Sequence, residues 1–483
     1  MTDKRERPTK LPSRYLDANH YLNEGLIRLA ESTSDATATL PKERGPNDRN
    51  RRQWMEWFLP YLDHPEKAWP AIHIGGTSGK GSVSAMVAEI LNAANINTGL
   101  HVSPYVQVAT EKLWANGRYA SAEEFAQLVD WIRPICESLR TPELPLHGMA
   151  SVAIALEFYR RRKVELGVME VGVGGRNDLT NVMETCVAVV GKVGYDHLRT
   201  LGPTLEDIAW HKAGIIKEGC HAVVLAGPGL AAATKQAKQV GAKLRIIREE
   251  NWRQCPPVTT HANTNHMDYR GTHFQLEGVE LAMKGSCQAE NAALAIATIE
   301  ALIDQGWSID ENAIRLGLGR AKMPARAETM PQRKGCMVVV DGAHNADKIR
   351  ALSQAIGEIP HRNLFLVYGG LHHHPPADSL FDLARKAEQT IITAPTVYAK
   401  QARPAAETAA DLRVAGIPSV HAVDDAEEAL NLGLQSAGEG DLLVVTGSLY
   451  LAGQLRGRWY PAERVLETGT SWPALEAVKA TRR

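Results

Sequence analysis

The fold of this 483-residue chain is decided by the segment Ala71-Ile72-His73-Ile74-Gly75-Gly76-Thr77-Ser78-Gly79-Lys80-Gly81-Ser82. Its first five residues are a short, mainly apolar run that ends in glycine, which predicts a buried strand. The apolar residues after the loop recur at helical spacing and are Val83, Met86, Val87, Ile90 and Leu91. A strand, a glycine-rich turn and a helix therefore follow one another, which is the order found in phosphate-binding loops.

The loop carries the groups that nucleotide phosphates need. Its glycines let backbone N–H groups turn toward an anion at the N-terminus of the helix. Lys80 is placed to reach the outer phosphates, and the Ser82 hydroxyl to contact magnesium. We predict that nucleotide binding involves Gly76, Thr77, Ser78, Gly79, Lys80, Gly81 and Ser82. Gly81 is inserted relative to the usual phosphate loop and Ile74 replaces its first glycine, so a glycine-rich turn with a surface lysine is the alternative.

Apolar runs alternate with helix-period segments through most of the chain. Strands are further predicted at residues 99–103, 166–171, 187–193, 222–226, 336–340, 364–368, 390–394 and 442–446. Helices are predicted at residues 121–139, 204–215 and 286–306, the first two with capping boxes. Residues 249–281 are less regular and suggest hairpins or loops. We therefore predict an α/β protein, with a P-loop ATPase-like, doubly wound sheet domain at residues 1–320 and a smaller Rossmann-like α/β domain at residues 321–483.

The composition excludes several classes of protein. Lys and Arg total 54 and Asp and Glu total 55, so the formal net charge is −1 and the basic surplus of a dedicated nucleic-acid binder is missing. No apolar run reaches the ~18–20 residues that cross a membrane. The six cysteines have no CxxC spacing and indicate reduced thiols. We expect a cytoplasmic protein with no secretory signal that binds neither nucleic acid nor membrane, and we expect the polar residues 1–35 and 32–50 to be mobile.

Polar groups beyond the loop are candidates for metal binding and catalysis. Glu170 ends a predicted strand, on the side where ligands of doubly wound sheets bind, and a carboxylate there suits magnesium. His197 follows the next strand and needs an orienting partner such as Asp196. The structural alternatives are that Glu170 pairs with Arg176 and that His197 only holds the fold. Lys212 closes a predicted helix, where a lysine is ordinarily a solvated cation favoured by the helix dipole.

Two polar residues at the start of the second domain are also candidates. Arg326 lies in the predicted linker, from which it can move onto the phosphates as the domains close. Asp341 ends an apolar strand, as a ligand-facing group should. The alternatives are a solvated linker arginine and a simple Asp-Gly turn.

These motifs occur in a fixed order along residues 71–453. After the phosphate loop come Ser103-Pro104-Tyr105, Glu111-Lys112, EVGVGGRNDLTN at residues 170–181, YDHLRTLGPTLEDIAWHKAGIIK at residues 195–217, Gln288-Ala289-Glu290-Asn291-Ala292, Pro324-Ala325-Arg326-Ala327-Glu328, Asp341-Gly342-Ala343-His344-Asn345 and Gly447-Ser448-Leu449-Tyr450. In this combination the chain resembles the Mur ligase superfamily, specifically folylpolyglutamate synthase and the bifunctional dihydrofolate synthase.

The resemblance implies a reaction in which ATP phosphorylates a substrate carboxylate and the amine of L-glutamate attacks the acyl phosphate to form an amide. The implied catalytic residues are Lys80, His197 and Lys212, with Lys212 carried as a carbamate. The implied magnesium ligands are Ser82, Ser103, Glu170 and His197. The implied nucleotide contacts outside the loop are Asn291, Arg326, Asp341 and His344. Asp178 matches a position associated with pterin binding.

The chain departs from the family pattern partly at positions that recognise the acceptor. Tyr105 replaces the family's histidine, and Val108 and Ala109 replace an arginine and a phenylalanine. Asn177-Asp178-Leu179 stands in place of Leu-Asp-Ala. His372-His373-His374 replaces an acidic-lysine motif, and we predict an exposed loop there because consecutive side chains diverge in direction.

The leading prediction is an ATP- and magnesium-dependent ligase that acts as a monomer on ATP, L-glutamate and a pterin-type carboxylate, either dihydropteroate or a folate. One alternative is a Mur-type ligase that glutamylates a different carboxylate cofactor or metabolite. A second is a P-loop kinase or nucleotide switch, against which Lys212 and residues 341–345 argue, since a phosphotransferase needs neither. A third is a nucleotide-binding protein that has lost catalysis. The joint presence of four residues argues against it: Lys80, Glu170, His197 and Lys212.

Overall fold

A computed structural model describes residues 11–26, 51–139, 146–255, 265–331, 335–372, 378–396 and 402–474. The strands are β1 (Ala71–Gly75), β2 (Thr98–His101), β3 (Trp114–Ala115), β4 (Arg118–Tyr119), β5 (Leu166–Glu170), β6 (Thr185–Val190), β7 (His221–Leu225), β8 (Lys243–Ile247), β9 (Trp252–Cys255), β10 (Asn265–Arg270), β11 (Gln275–Leu281), β12 (Glu328–Thr329), β13 (Met337–Val340), β14 (Leu364–Tyr368), β15 (Ala387–Ile392), β16 (Val420–Ala422) and β17 (Leu442–Thr446).

The α-helices are α1 (Ser13–His20), α2 (Arg51–Phe58), α3 (Lys80–Ala93), α4 (Ala122–Ser138), α5 (Leu146–Arg161), α6 (Leu198–Leu201), α7 (Leu205–Ala213), α8 (Leu230–Val240), α9 (Cys287–Ile303), α10 (Glu311–Arg320), α11 (Ala346–Gly357), α12 (Asp378–Arg385), α13 (Ala405–Val414), α14 (Ala426–Ser436), α15 (Leu449–Arg456) and α16 (Ala462–Thr468). Across the described ranges, no helix combines the length and the apolar character of a membrane span.

The first eight strands form one sheet in the order β4-β3-β2-β5-β1-β6-β7-β8, parallel from β2 to β8 and antiparallel at β3 and β4. Successive side chains of a strand point to opposite faces. Ile72 and Ile74 accordingly belong to the apolar cluster that contains α3 and α9, whereas Ala71 belongs to the cluster that contains α5. Both faces are covered by helices, which confirms the predicted doubly wound sheet.

The second large sheet has six strands in the order β12-β13-β17-β14-β15-β16, and only the edge strand β12 is antiparallel. Strands β9, β10 and β11 form a separate antiparallel sheet, which is the hairpin structure suggested for residues 249–281. The two-domain α/β prediction is therefore confirmed. The division at residues 320 and 321 falls between the end of α10 and the start of β12 and stays a prediction.

The predicted strands all exist, with ends displaced by up to three residues. Strand β2, for instance, ends at His101 and not at Ser103, because the Ser103 N–H donates to the Glu170 carboxylate and not to a neighbouring strand. The capping boxes that begin α4 and α7 are both present. The capping residues therefore predict where these helices begin more accurately than the apolar runs predict where the strands end.

The expectation of a mobile N-terminus is wrong for the described residues 13–26. Helix α1 and the π-helical turn Tyr21–Gly25 place their apolar side chains against α4 and α5. The buried residues are Tyr15, Ala18, Tyr21, Leu22 and Leu26. Most of these recur every three or four residues and so line one helical face, a pattern that average polarity conceals. Residues 1–10 and 27–50 lie outside the described ranges.

Candidate active site

The phosphate loop joins β1 to α3 and is fixed to the neighbouring strand end. The Thr77 N–H donates to the Lys192 carbonyl at 2.7 Å. The Thr77 hydroxyl donates to the Gly194 carbonyl and accepts from the Gly194 N–H, both at 3.0 Å. Lys80 is the first residue of α3, and its Nζ donates to the Gly76 carbonyl at 3.2 Å. The loop therefore presents a lysine and a helix N-terminus to the same space, which suits an anion.

Two glycines of the loop lie close to side chains of other elements, and one of them is required there. Gly79 has φ +83°, and a Cβ there would lie 2.3 Å from the Asn291 Oδ1, so this position accepts no side chain. A Cβ on the inserted Gly81 would lie 3.1 Å from the Met323 methyl group and 3.6 Å from a Glu170 carboxylate oxygen. The insertion therefore allows Glu170 to stand close to the first turn of α3.

Glu170 is buried at the end of β5 and accepts the Ser103 N–H at 3.1 Å. Burial raises the pKa of its carboxyl, while the charges of Lys80 and Arg326 oppose that rise. The structural alternative of an ion pair with Arg176 is not observed in the described structure. Arg176 instead donates to the Gln236 side chain at 2.7 Å.

Asp196 and His197 lie on the loop that follows β6. His197 has φ +50°, and its Nε2 is 3.9 Å from the Asp196 carboxylate. Burial lowers the pKa of His197, which favours the neutral ring, while Asp196 acts in the opposite direction. For Asp196, burial alone would raise the pKa, but the charges of His197, Lys348 and Lys80 lower it overall. Asp196 is thus a charged carboxylate among cations, in the place expected of a partner for His197.

Lys212 is not the solvated cation that its place at the end of a helix suggested. It is 3% exposed, and burial together with the charge of Lys80 lowers its pKa to about 7. The capping box of α7 fixes the helix that carries it. A large fraction of Lys212 is therefore an uncharged amine near neutral pH, unlike an ordinary lysine.

The linker brings Arg326 to the phosphate loop in a constrained backbone. Its neighbours Ala325 and Ala327 have φ of +54° and +42°, which is costly for residues other than glycine. The Asp341 carboxylate accepts the Ala327 N–H and the Ala343 N–H, both at 2.7 Å. Burial raises the pKa of Asp341, and the charge of Arg326 opposes this. Asp341 therefore holds the linker and the start of the second domain together beside Arg326.

His344 and Lys348 form a pair on the second-domain side of the site. The His344 Nδ1 is 2.9 Å from the Gly342 carbonyl oxygen and so carries the ring proton, which leaves Nε2 to accept from the Lys348 Nζ at 3.1 Å. The charge of Lys348 acts on Glu170 and on Lys212. Lys348 was missed in the sequence, because a single lysine near the start of a helix has no distinctive local pattern.

Arg456 joins the end of α15 to the linker. It is completely buried, and its guanidinium donates to the two Glu328 carboxylate oxygens at 2.8 Å each and to the Ser471 carbonyl at 2.6 Å. Glu328 also accepts the Ala325 N–H at 2.9 Å. The ion pair therefore fixes the linker segment that carries Arg326, and sequence reasoning did not identify it.

The two domains touch directly at the same place. Arg456 donates a further hydrogen bond to the Gln107 side chain of the first domain. A Cβ on Gly453 would lie 1.9 Å from the Val106 carbonyl oxygen, so α15 approaches that loop as closely as a glycine permits. The described structure thus has the second domain seated against the loop that follows Ser103.

Two predicted site residues have partners of their own. Asn291 faces Gly79, and its side-chain N–H donates to the Gln288 side chain at 3.0 Å. Asp178 accepts hydrogen bonds from the Val173 N–H at 2.9 Å and from the Thr180 hydroxyl at 2.6 Å. These bonds hold the loop that contains Asp178. The contact of Asp178 with a pterin stays a prediction.

Most of the predicted residues meet at one place. The groups that contact one another, or act on one another's charge, around the phosphate loop are Lys80, Ser103, Glu170, His197, Lys212, Asn291, Arg326, Asp341 and His344. Ser82 is buried in the first turn of α3. Among the described residues, no group of three or more His, Cys, Asp or Glu side chains is arranged to hold a metal. His372 is exposed, and His373 and His374 lie outside the described residues.

Comparison with known proteins agrees with this arrangement. Residues 74–299 match the Mur ligase middle domain, and residues 325–449 match the Mur ligase, glutamate ligase domain. The chain is 30% identical over 422 residues to the dihydrofolate synthase/folylpolyglutamate synthase of Bacillus subtilis, covering 84% of this chain and 94% of that protein.

Known structures give the same result. The folylpolyglutamate synthase of Thermotoga maritima has a TM-score of 0.73 at 28% identity, with 92% of this chain and 97% of that chain covered. A folylpolyglutamate synthase complexed with AMPPCP and folate has a TM-score of 0.73 at 25% identity, with 92% and 99% covered. On this evidence the chain belongs to the folylpolyglutamate synthase and dihydrofolate synthase family of Mur ligases.

Proposed function

We propose that the protein uses ATP to convert a folate-type carboxylate, either dihydropteroate or tetrahydrofolate, into an acyl phosphate and then joins it to L-glutamate. The single observation that carries the proposal is the meeting of two cations, Lys80 from the first domain and Arg326 from the linker, beside the Glu170 carboxylate. A phosphoryl transfer between two anions needs several positive groups at one place, because the charge on the transferred group must be offset. The family assignment independently supports a ligase.

Each group has a role in this scheme. The loop N–H groups and Lys80 bind the phosphates, with Asn291 behind the loop at Gly79. Arg326 contacts the outer phosphate from the opposite side and offsets charge as the acceptor oxygen approaches. Asp341 keeps Arg326 in place through the Ala327 N–H. The amine of glutamate then attacks the carbonyl carbon, and phosphate leaves.

The residues present fit a magnesium ion at Ser82, Ser103, Glu170 and His197. Mg²⁺ prefers oxygen ligands and is ordinarily held by one or two carboxylates together with substrate phosphates. Glu170 is a buried carboxylate beside the first turn of α3, and a cation bound there would offset the cost of burying its charge. When bound, Mg²⁺ would supply positive charge that offsets the charge of the nucleotide phosphates.

Lys212 is proposed to be carried as a carbamate. Carbamate formation requires an uncharged amine, and the pKa of about 7 supports one at neutral pH. Carbon dioxide would add to the uncharged amine and one proton would leave, giving an anion that acts on the charges of Lys80 and His197. That anion would relieve the repulsion among the cations and support the metal site.

Two classes of acceptor are compatible with the proposal, a folate-type carboxylate and a different carboxylate. Asp178 is the proposed pterin contact, and the related structure with AMPPCP and folate supports a folate-type ligand. The second candidate, a different carboxylate, is favoured by the altered residues near Ser103. Tyr105 is one of these altered residues, and the Lys112 Nζ lies over its ring, 5.2 Å from the ring centre. The same Nζ donates to the Ser151 hydroxyl at 3.0 Å. We further propose that the enzyme acts as a monomer in the cytoplasm.

The test is glutamate-dependent release of ADP by the full-length protein with dihydropteroate, with tetrahydrofolate and with unrelated carboxylates. We expect turnover with one of the two folate-type acceptors and none without glutamate. Turnover with an unrelated carboxylate and with neither folate-type acceptor would support the second candidate, a ligase that glutamylates a different carboxylate. ATP hydrolysis that ignores both acceptor and glutamate would exclude a ligase.

A further inference from the structure

Lys348 is a cation of the second domain that reaches the chemistry of the first. It lies in the first turn of α11, where the Asn345 side chain caps the helix by accepting the Lys348 N–H at 3.0 Å. The side chain is half-buried, and its Nζ donates to the His344 Nε2 at 3.1 Å. His344 is in turn fixed by the Gly342 carbonyl. The ammonium group is therefore oriented by a neutral ring and not by a counter-charge.

The surroundings of Lys348 are unusually positive. Lys80 and Arg326 both act on it with like charge, whereas the carboxylates of Asp196, Glu170 and Asp341 act with opposite charge. In the described part of the chain, no ion pair joins Lys348 to any of these carboxylates. A positive charge in the first turn of a helix is also opposed by the helix dipole. Lys348 thus gains little from the protein itself, and an anionic ligand would relieve these repulsions.

We propose that Lys348 binds the phosphoryl group that passes from ATP to the acceptor carboxylate, facing Lys80 across the transferred group. This proposal rests on the proposed function and adds a residue to it. Lys80 approaches the phosphates from the loop of the first domain, and Arg326 from the linker. Lys348 approaches from the second domain and therefore completes a positive shell only when the two domains are together.

The step that Lys348 serves is balanced without a proton. A carboxylate oxygen of the acceptor forms a bond to the γ-phosphorus, and the bond from that phosphorus to the β,γ-bridging oxygen breaks. The electron pair leaves with ADP, and the acyl phosphate remains. Negative charge is spread over the γ-phosphoryl oxygens throughout, and the Lys348 ammonium donates to one of them.

The test compares two nucleotides that differ at the γ-phosphate. Binding of AMPPCP and of ADP is measured by calorimetry, with magnesium present, on the full-length wild type and on Lys348→Met, Lys348→Gln and Lys348→Arg. Lys386→Met is the matched control, since Lys386 is an exposed lysine of the same domain that donates to Ser353 at 3.2 Å. We expect loss of the charge to weaken AMPPCP binding about 10–100-fold and ADP binding less than about 3-fold. The arginine variant should retain most of the AMPPCP affinity, and the control should bind both nucleotides normally.

Several results would overturn the proposal. Equal weakening of ADP and AMPPCP would give Lys348 a general or structural role, and unchanged AMPPCP affinity would remove it from the γ-phosphate. A rise only in the KM for glutamate would assign it to the amino acid. Because the AMPPCP and ADP binding measurements need no acceptor, they remain decisive if no folate-type carboxylate supports turnover, a result that would instead contradict the proposed function.

Discussion

Replacement of Arg456 by methionine tests whether the linker is held by a buried ion pair. The Arg456 side chain is 0% exposed and that of Glu328 is 10% exposed. Methionine keeps much of the volume but leaves the Glu328 carboxylate without its cation. Glu328 would then be stabilised by only the Trp472 indole N–H at 2.7 Å and the Ala325 N–H at 2.9 Å.

The expected cost is large because a charge is left buried. Removal of one partner of a buried ion pair costs about 3–5 kcal/mol. With an m-value of about 3 kcal/mol per molar, the urea midpoint falls by about 1–2 M. Activity should respond as well, because the same carboxylate fixes Ala325, the neighbour of Arg326. We expect the KM for ATP to rise under conditions in which the variant is still fully folded.

The assay is urea unfolding followed by circular dichroism, with two further variants. Arg458→Met is the matched control, since Arg458 is exposed and bonds to the Asn431 side chain, and its loss should cost less than about 1 kcal/mol. The double variant Arg456→Met with Glu328→Gln leaves no buried charge and should be more stable than Arg456→Met alone. A loss below about 1 kcal/mol for Arg456→Met, or a double variant no better than the single one, would refute the reasoning.

Three further predictions concern the phosphate loop, the carbamate and the response to acid. Lys80→Ala should lower ADP release at least about 100-fold, because the loop loses its cation, and near-normal turnover in a coupled assay would contradict this. Lys212→Ala should be impaired but partly restored by short carboxylates such as acetate, whereas full activity without any supplement would leave the carbamate without a role. His73 is completely buried, its Nε2 is 2.9 Å from the Thr180 hydroxyl, and burial lowers its pKa well below 6.5. As the pH falls below about 6.5, His73 therefore binds a proton in the unfolded chain but not in the folded protein. The free energy of unfolding should then decline by up to about 1.4 kcal/mol per pH unit. Urea midpoints between pH 7 and pH 5 should fall less steeply for His73→Asn, and equal slopes would exclude this residue.

Much of the first domain is predictable because its signals are local. The strand at Ala71–Gly75, the glycine-rich loop and the capped helix that carries Lys212 are each specified by adjacent residues. Glu170 follows the same logic, since the carboxyl ends of parallel strands meet at one edge of the sheet. The sequence nevertheless presents Lys212 as a surface cation, because burial of its side chain by other parts of the fold is invisible in the pattern of one helix.

Local sequence patterns do not predict the contacts between the two domains. Arg456 and Gln107 meet across the domain interface although they are far apart in the chain, and neither has a distinctive neighbourhood. Lys348 also has no distinctive local pattern, and its electrostatic surroundings include Lys80 of the other domain. The helix Ser13–His20 was missed for another reason: its few apolar residues lie on one face, and average polarity hides them.

The central claim is that a carboxylate is activated by phosphorylation before the amide bond forms. The most direct test labels both oxygens of the acceptor carboxylate with oxygen-18 and follows the label during glutamate-dependent turnover by mass spectrometry. An acyl phosphate transfers one labelled oxygen to the released phosphate in each turnover and leaves the other in the amide. Released phosphate without oxygen-18, in the presence of labelled amide product, would contradict the account.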